Sequence, residues 1–225
     1  MKKINKIFIA IDTKNEIKAK SIIKQSKINS LKIGYKFGLE FINSKNGRNF
    51  ISRLKNEIVF IDLKLHDIPN TMKSTLIALK DIRFNYLTVH ISSGFKALQE
   101  LKKISKNIKI VGVTTLTSLD NNDLKKIGYS NSVNNIVLKQ SKLANKARLD
   151  AIVCSPKEVP LVKKVFKGEI ITPGIRIKIK NIDQKRTMTP KQAFQNGSDW
   201  LVIGREITKG NVKKNVKNLS IHLKE

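Results

Sequence analysis

Four ionisable residues fall within six positions of the stretch FIDLKLHDIPNT (60–71): Asp62, Lys64, His66 and Asp67. The stretch begins as an apolar run typical of a buried strand, where a charge is costly unless it has a partner or a function. Asp62 and Lys64 are two positions apart, so both side chains lie on the same face of a strand. An ammonium beside a carboxylate keeps its proton and can stabilise developing negative charge. The stretch therefore predicts a polar site at a strand end.

Two earlier strands supply further charges for this site. Asp12 ends the apolar run KIFIAID (6–12), and Lys32 lies in the run SLKIGY (30–35). Neighbouring strands are about 4.8 Å apart, so these side chains can join Asp62 and Lys64 in a compact patch of alternating sign. The alternative interpretation is an ordinary ion-pair network at the ends of these strands.

A second pattern, late in the chain, is typical of phosphate binding. The segment TPGIR ends at Arg176, and the run DWLVIGR ends with Gly204 and Arg205. A glycine at a strand-to-helix turn lets backbone N–H groups approach an anion, and arginine offers a fork that matches phosphate oxygens. The sequence thus predicts that the substrate is a phosphorylated small molecule, whose reacting end lies over the charged patch.

The elements that must position these residues recur along the chain. Apolar runs alternate with helix-like segments, and such continuous runs are typical of parallel strands covered by helices. The predicted strands span residues 6–12, 30–35, 57–64, 85–91, 108–116, 150–155, 169–175 and 199–205. Eight strands, each followed by a helix, predict a single (β/α)8 TIM barrel over residues 1–225. A doubly wound sheet is the alternative, but no G-x-G-x-x-G turn follows the first strand.

The composition limits the partners and the compartment. The formal net charge is +28 with 45 basic residues, but these are mostly lysines spread along the chain, which favours a solvated surface over a specific nucleic-acid partner. A basic nucleic-acid-binding protein remains the alternative from a different functional class. The single cysteine, Cys154, excludes an internal disulfide and suits a reducing cytoplasm. The apolar runs are shorter than the roughly 20 residues of a spanning helix, so no membrane partner is expected.

The sequence resembles the orotidine 5′-phosphate decarboxylase family of bacterial type. The segments that carry the resemblance are DLKLHDIPNT (62–71), LKIG (31–34), VTTLTS (113–118), TPGIR (172–176), DQKR (183–186) and VIGR (202–205). The resemblance implies decarboxylation of orotidine 5′-phosphate to UMP, without cofactor or metal, by a homodimer with shared active sites. A Mg²⁺-dependent sugar-phosphate decarboxylase or aldolase shares the D-x-K-x-x-D pattern and remains an alternative. The continuation IPNT and the TLTS and DQ segments favour the pyrimidine enzyme.

The resemblance also implies roles for individual residues. Lys64 matches the proton donor to C6 of the pyrimidine, and Asp62 matches the carboxylate near the substrate carboxylate. Lys32 and Asp67 match the rest of the charged network, with Asp67 supplied by the other subunit. Asp12 and Lys32 match the residues that hold the ribose hydroxyls.

The remaining roles concern the base, the ribose and the phosphate. Thr117 matches a hydrogen-bonding partner of the pyrimidine edge, and Thr71 matches a ribose contact made across the dimer. The residues that match the phosphate site are Gln184, Gly204 and Arg205, with Arg176 close by.

Overall fold

Within residues 4–177 and 187–224, the part of the chain that this computed structural model describes, eight parallel strands close into a barrel. Each strand pairs with its neighbours in chain order, and the last pairs back with the first. The strands are β1 (Lys6–Ile11), β2 (Lys32–Gly38), β3 (Ile58–Leu65), β4 (Tyr86–His90), β5 (Lys109–Val113), β6 (Ala151–Val153), β7 (Glu169–Thr172) and β8 (Trp200–Ile203). The predicted (β/α)8 barrel is confirmed.

Helices cover the outside of the barrel. Side-chain caps begin several of them, as at Asn15, which accepts a hydrogen bond from the Lys18 N–H, and at Thr189, which precedes Pro190. The helices are α1 (Glu16–Gln25), α2 (Leu39–Ile42), α3 (Gly47–Ser52), α4 (Pro69–Ala78), α5 (Phe95–Ile104), α6 (Asn121–Lys126), α7 (Val133–Lys146), α8 (Val159–Lys163), α9 (Pro190–Gln195), α10 (Arg205–Thr208) and α11 (Val212–His222), with 3₁₀ turns at Leu79–Asp81 and Ile91–Ser93. Within the described residues, no helix is long and apolar enough to cross a membrane.

The core has two layers, one between strands and helices and one inside the barrel. Aromatic rings fill the barrel interior: Phe8 stacks on Trp200 with ring centroids 4.1 Å apart and meets Phe60 at 4.9 Å. Gly34 of β2 faces Phe8, and a Cβ at Gly34 would lie 2.6 Å from the Phe8 ring. The absence of a side chain at position 34 therefore makes room for this ring.

The N-terminal ends of the strands carry a charged group that we call the basal cluster: Glu169, Lys6, Lys109, Tyr86 and Trp200. One Glu169 oxygen accepts hydrogen bonds from the Lys6 ammonium and the Trp200 indole, both at 3.3 Å. The other accepts from the Lys109 ammonium at 2.8 Å and from the Tyr86 hydroxyl at 3.0 Å. Burial alone would raise the pKa of Glu169, but Lys109 and the other donors hold that pKa below its usual value.

Candidate active site

The opposite, C-terminal ends of the strands carry a second charged group, the apical cluster: Asp12, Lys36, Asp62, Lys64 and the hydroxyl of Thr88. Asp62 Oδ2 lies 2.9 Å from Lys64 Nζ and 3.1 Å from Lys36 Nζ. Asp62 Oδ1 accepts a hydrogen bond from Thr88 Oγ1 at 3.0 Å. Asp12 adds a longer contact, 3.8 Å from Lys36 Nζ. The cluster thus centres on Asp62, with a lysine from each of two strands against one of its oxygens.

The two lysines keep Asp62 ionised although it is 7% exposed. Burial alone would raise the pKa of this carboxyl, but the nearby ammonium groups of Lys36 and Lys64 outweigh that effect and hold the pKa below its usual value. At neutral pH the site therefore presents a carboxylate together with ammonium donors.

Lys64 is placed by an irregularity in β3. The pairing of β3 with β4 shifts between Ile61, opposite Leu87, and Leu65, opposite Val89, so that residues 62–64 face a single residue of β4. Lys64 itself has a φ of 49°, in the left-handed region that a lysine rarely adopts. Its side chain is 36% exposed, so the ammonium reaches the cavity above the barrel.

The prediction that Lys32 belongs to the charged patch is wrong, and Lys36 occupies that place. The predicted strand at 30–35 is displaced, because β2 starts only at Lys32 and continues to Gly38. Lys32 is exposed and pairs with Lys6 at the basal end of the barrel. Four residues along a strand span about 13 Å, so the apical position falls to Lys36, opposite Ala10 of β1.

A signal for Lys36 was present in the sequence, because one residue, Tyr35, separates the triplet Lys32-Ile33-Gly34 from a second such triplet, Lys36-Phe37-Gly38. Both lysines occupy the same face of a strand, and only the position of the strand end distinguishes them. Thr88 was also missed. It lies in an apolar strand where threonine is common, and nothing in the local pattern predicts its partners.

The predicted phosphate-binding residues open onto the same cavity as the apical cluster. Gly174, Arg176, Gly204 and Arg205 line a space of about 270 Å³ together with Asp12, Lys36, Asp62 and Lys64. A Cβ at Gly204 would lie 3.4 Å from Asp12 Oδ2, so the turn after β8 directly adjoins the end of β1. The cavity therefore joins a region with two guanidinium groups to a region with two ammonium groups and two carboxylates.

The structure places the other predicted residues in different settings. Thr117, after β5, lines the cavity. Asp67, in the loop before α4, and Thr71, in the first turn of α4, are exposed, and Asp67 Oδ1 accepts a hydrogen bond from the Ile68 N–H at 2.7 Å. Gln184 lies outside the described residues. The roles assigned to these residues stay predictions.

Fold and site together define a TIM-barrel enzyme whose cavity combines a carboxylate held by two lysines with a rim that carries two guanidinium groups. The particular family follows from comparison with known proteins: residues 5–218 match the model of the orotidine 5′-phosphate decarboxylase / HUMPS family, and the chain belongs to that family.

Named relatives agree with this assignment over nearly their whole length. The chain is 41% identical to an orotidine 5′-phosphate decarboxylase of Wolbachia sp. subsp. Brugia malayi, covering 96% of this chain and 97% of that protein. It is also 41% identical to one of Prochlorococcus marinus strain MIT 9312, covering 91% and 89%. Among solved structures, orotidine 5′-phosphate decarboxylase from Lactobacillus acidophilus superposes with a TM-score of 0.84 at 26% identity, covering 98% of this chain and 100% of that one.

Proposed function

We propose that this chain decarboxylates orotidine 5′-phosphate to UMP, the last step of pyrimidine nucleotide synthesis. Family membership and the names of the relatives support this activity. The observation that carries the proposal is the 2.9 Å pair between Lys64 and Asp62, in a cavity whose rim also holds Arg176 and Arg205. A reacting centre and a phosphate anchor thus share one cavity.

Decarboxylation requires a group that can stabilise negative charge on carbon. When the bond between C6 and the carboxylate breaks, carbon dioxide leaves and the electron pair stays on C6 in the plane of the ring. The Lys64 ammonium stabilises that charge and delivers its proton to C6, and the neutral amine then takes a proton from solvent. No external electron sink is needed in this scheme, in keeping with the expected lack of a cofactor.

Asp62 and Lys36 support this step from the protein side. The carboxylate of Asp62 contacts both ammonium groups, which holds the Lys64 side chain at the cavity. Lys36 takes the network role that the resemblance implied for Lys32, because Lys36 is the β2 lysine within reach of Asp62 and Asp12. Asp12, with its side chain 60% exposed, is available for the ribose hydroxyls.

The phosphate end of the substrate is assigned to the loops after β7 and β8. Arg205 and Arg176 supply guanidinium forks, and Gly174 and Gly204 keep the wall near them free of side chains. Arg205→Ala should therefore weaken UMP binding roughly 10- to 100-fold, the loss expected for charge-assisted hydrogen bonds. Calorimetric titration with UMP measures this effect.

The direct test of the activity is loss of the ultraviolet absorbance of orotidine 5′-phosphate on incubation with the purified protein. The same assay after dialysis against EDTA separates the pyrimidine enzyme from a Mg²⁺-dependent sugar-phosphate enzyme. Asp12 and Asp62, the carboxylates of the cavity, both contact Lys36, and this arrangement favours lysine chemistry over metal binding. A strict Mg²⁺ requirement or an inert pyrimidine substrate would refute the proposal.

We further propose that the active form is a homodimer with shared active sites. Each chain forms a single catalytic domain, and the enzyme acts in the cytoplasm. The exposed positions of Asp67 and Thr71, next to Ile68 with 66% of its surface exposed, support a partner at this edge of the barrel. In this arrangement each chain donates Asp67 and Thr71 to the site of the other.

Mixed dimers test the shared site. Lys64→Ala and Asp67→Ala should each be nearly inactive alone. In a heterodimer one site collects both lesions and the other collects neither, so refolding the two variants together should restore part of the activity. If Asp67 acts within its own chain, every site carries a lesion and no activity returns.

A further inference from the structure

The irregular pairing of β3 with β4 gives Thr88 an unusual position. Residues 62–64 face Thr88 alone, because Leu87 pairs with Ile61 and Val89 pairs with Leu65. The extra length of β3 carries Lys64 into the left-handed backbone region. Such a conformation persists where the surroundings hold it in place.

The Thr88 side chain contacts both functional residues of this bulge. Its Oγ1 accepts a hydrogen bond from the Lys64 backbone N–H at 2.8 Å and lies 3.0 Å from Asp62 Oδ1. The direction of both bonds is fixed, because the backbone N–H can only donate and an ionised carboxylate can only accept. The hydroxyl proton of Thr88 must therefore point at Asp62.

From these two contacts we infer that Thr88 is a positioning residue for the reaction proposed above. It is 1% exposed and is not one of the residues that line the cavity, so it acts from inside the protein. By holding Oδ1 it leaves Oδ2 to the ammonium groups of Lys64 and Lys36. By holding the Lys64 N–H it fixes the backbone from which the proposed proton donor extends.

The choice of threonine fits this role. A branched Cβ restricts rotation about χ1, so the hydroxyl stays between its two partners. A purely apolar side chain of the same shape would leave the Lys64 N–H and one Asp62 oxygen without this partner in a buried place. The hydroxyl, rather than the volume of the residue, is therefore the part that matters.

The test compares Thr88→Val, Thr88→Ser and Thr88→Ala with the wild type in the orotidine 5′-phosphate assay. Thr88→Val should lower kcat about 10- to 100-fold while KM changes much less, because the phosphate contacts remain. Thr88→Ser should stay within about threefold of the wild type, since it keeps both hydrogen bonds. Thr88→Ala should behave like Thr88→Val. Serine and alanine differ only by the hydroxyl oxygen. Comparing these two variants therefore shows whether the hydroxyl supports kcat, even if the valine variant fails to fold.

Ser141→Ala is the matched control for loss of a buried hydroxyl. Ser141 is buried in α7 and donates to the Val137 carbonyl at 2.7 Å, away from the apical cluster. This variant should be less stable but keep its kcat. Equal kcat values for Thr88→Ser and Thr88→Ala, or an unchanged kcat in a folded Thr88→Val protein, would overturn the inference.

Hydrogen exchange at the Lys64 amide gives a second measurement that does not depend on the substrate. Its protection should fall in Thr88→Val and Thr88→Ala and persist in Thr88→Ser. Unchanged protection in all three variants would refute the restraint on Lys64. An inactive wild type with the expected exchange pattern would instead refute the proposed activity and leave the restraint in place.

Discussion

The apical and basal clusters use nearly the same chemical groups at opposite ends of one barrel. Asp62 is held by Lys36, Lys64 and the Thr88 hydroxyl. Glu169 is held by Lys6, Lys109 and the Tyr86 hydroxyl, with the Trp200 indole as a further donor. In both clusters the lysines hold the carboxyl pKa below its usual value.

The two clusters differ in their backbone and in what lies above them. The basal residues are the first residues of regular strands, and they close the end of the barrel beneath the aromatic core. Among the apical residues, Asp12, Lys36, Asp62 and Lys64 line a cavity together with Arg176 and Arg205. Lys64 also lies on a bulge, with its backbone in the left-handed region. Composition alone therefore does not distinguish an active site from a structural network. The features that distinguish them are the position in the barrel, a strained backbone and an adjacent cavity.

The largest expected difference between the clusters concerns one lysine of each. Lys64→Ala should lower turnover of orotidine 5′-phosphate by about 10⁴-fold or more, because it removes both the proton donor and its charge. UMP should still bind in calorimetry. Lys109→Ala, the matched change in the basal cluster, should keep turnover within about twofold of the wild type. Substantial turnover by Lys64→Ala would show that another group donates the proton.

The next comparison concerns the two lysines of β2. Lys36→Ala should lower kcat/KM roughly 100-fold or more, because Asp62 loses one of its two ammonium partners and the site loses a positive charge. Lys32→Ala should have almost no effect, because Lys32 lies exposed at the basal end. Steady-state kinetics of both variants measures the difference. The reverse result would restore the sequence-based assignment to Lys32.

A smaller effect is expected from Glu169→Gln, and it should appear in stability rather than in rate. Replacing the carboxylate weakens hydrogen bonds to two ammonium groups, so the free energy of unfolding should fall by about 1–3 kcal/mol. Urea unfolding at pH 7 measures this loss. Glu100→Gln, which breaks the surface pair with Lys103, is the control and should change stability little. A large fall in kcat for Glu169→Gln would contradict a purely structural role for the basal cluster.

The smallest expected effect is the pH dependence of that stability difference. The folded pKa of Glu169 lies below its usual value, so its contribution is complete above the unfolded pKa of about 4.3 and is lost as the pH falls through the folded pKa. The gap between wild type and Glu169→Gln should therefore be constant from pH 7 to about 5.5 and narrow in more acidic solution. A gap that widens on acidification would mean that the folded pKa is raised.

Much of this architecture was predictable because parallel strands buried on both faces appear as apolar runs. Those runs located all eight strands, and Arg176 and Arg205 were found because they directly follow unmistakable runs. The predicted boundary of β2 was wrong. Lys and Gly alternate along the whole strand, so the pattern does not show which lysine lies at the C-terminal end. The error moved the predicted lysine to the wrong end of the barrel.

Thr88 could not be predicted for a different reason. Its partners are 24 and 26 residues earlier in the chain and reach it only through the bulge in β3. A bulge changes the register between two strands without a distinctive residue type, so its consequences appear only in three dimensions.

The pairing of β8 with both β7 and β1 has a consequence for the order in which the molecule can form. A chain emerging from the ribosome cannot close the ring until residues 200–203 are available, so its earlier strands must wait with an unpaired edge. Such edges invite association between nascent chains. These nascent chains are rich in lysine, and mutual repulsion between their positive charges opposes that association.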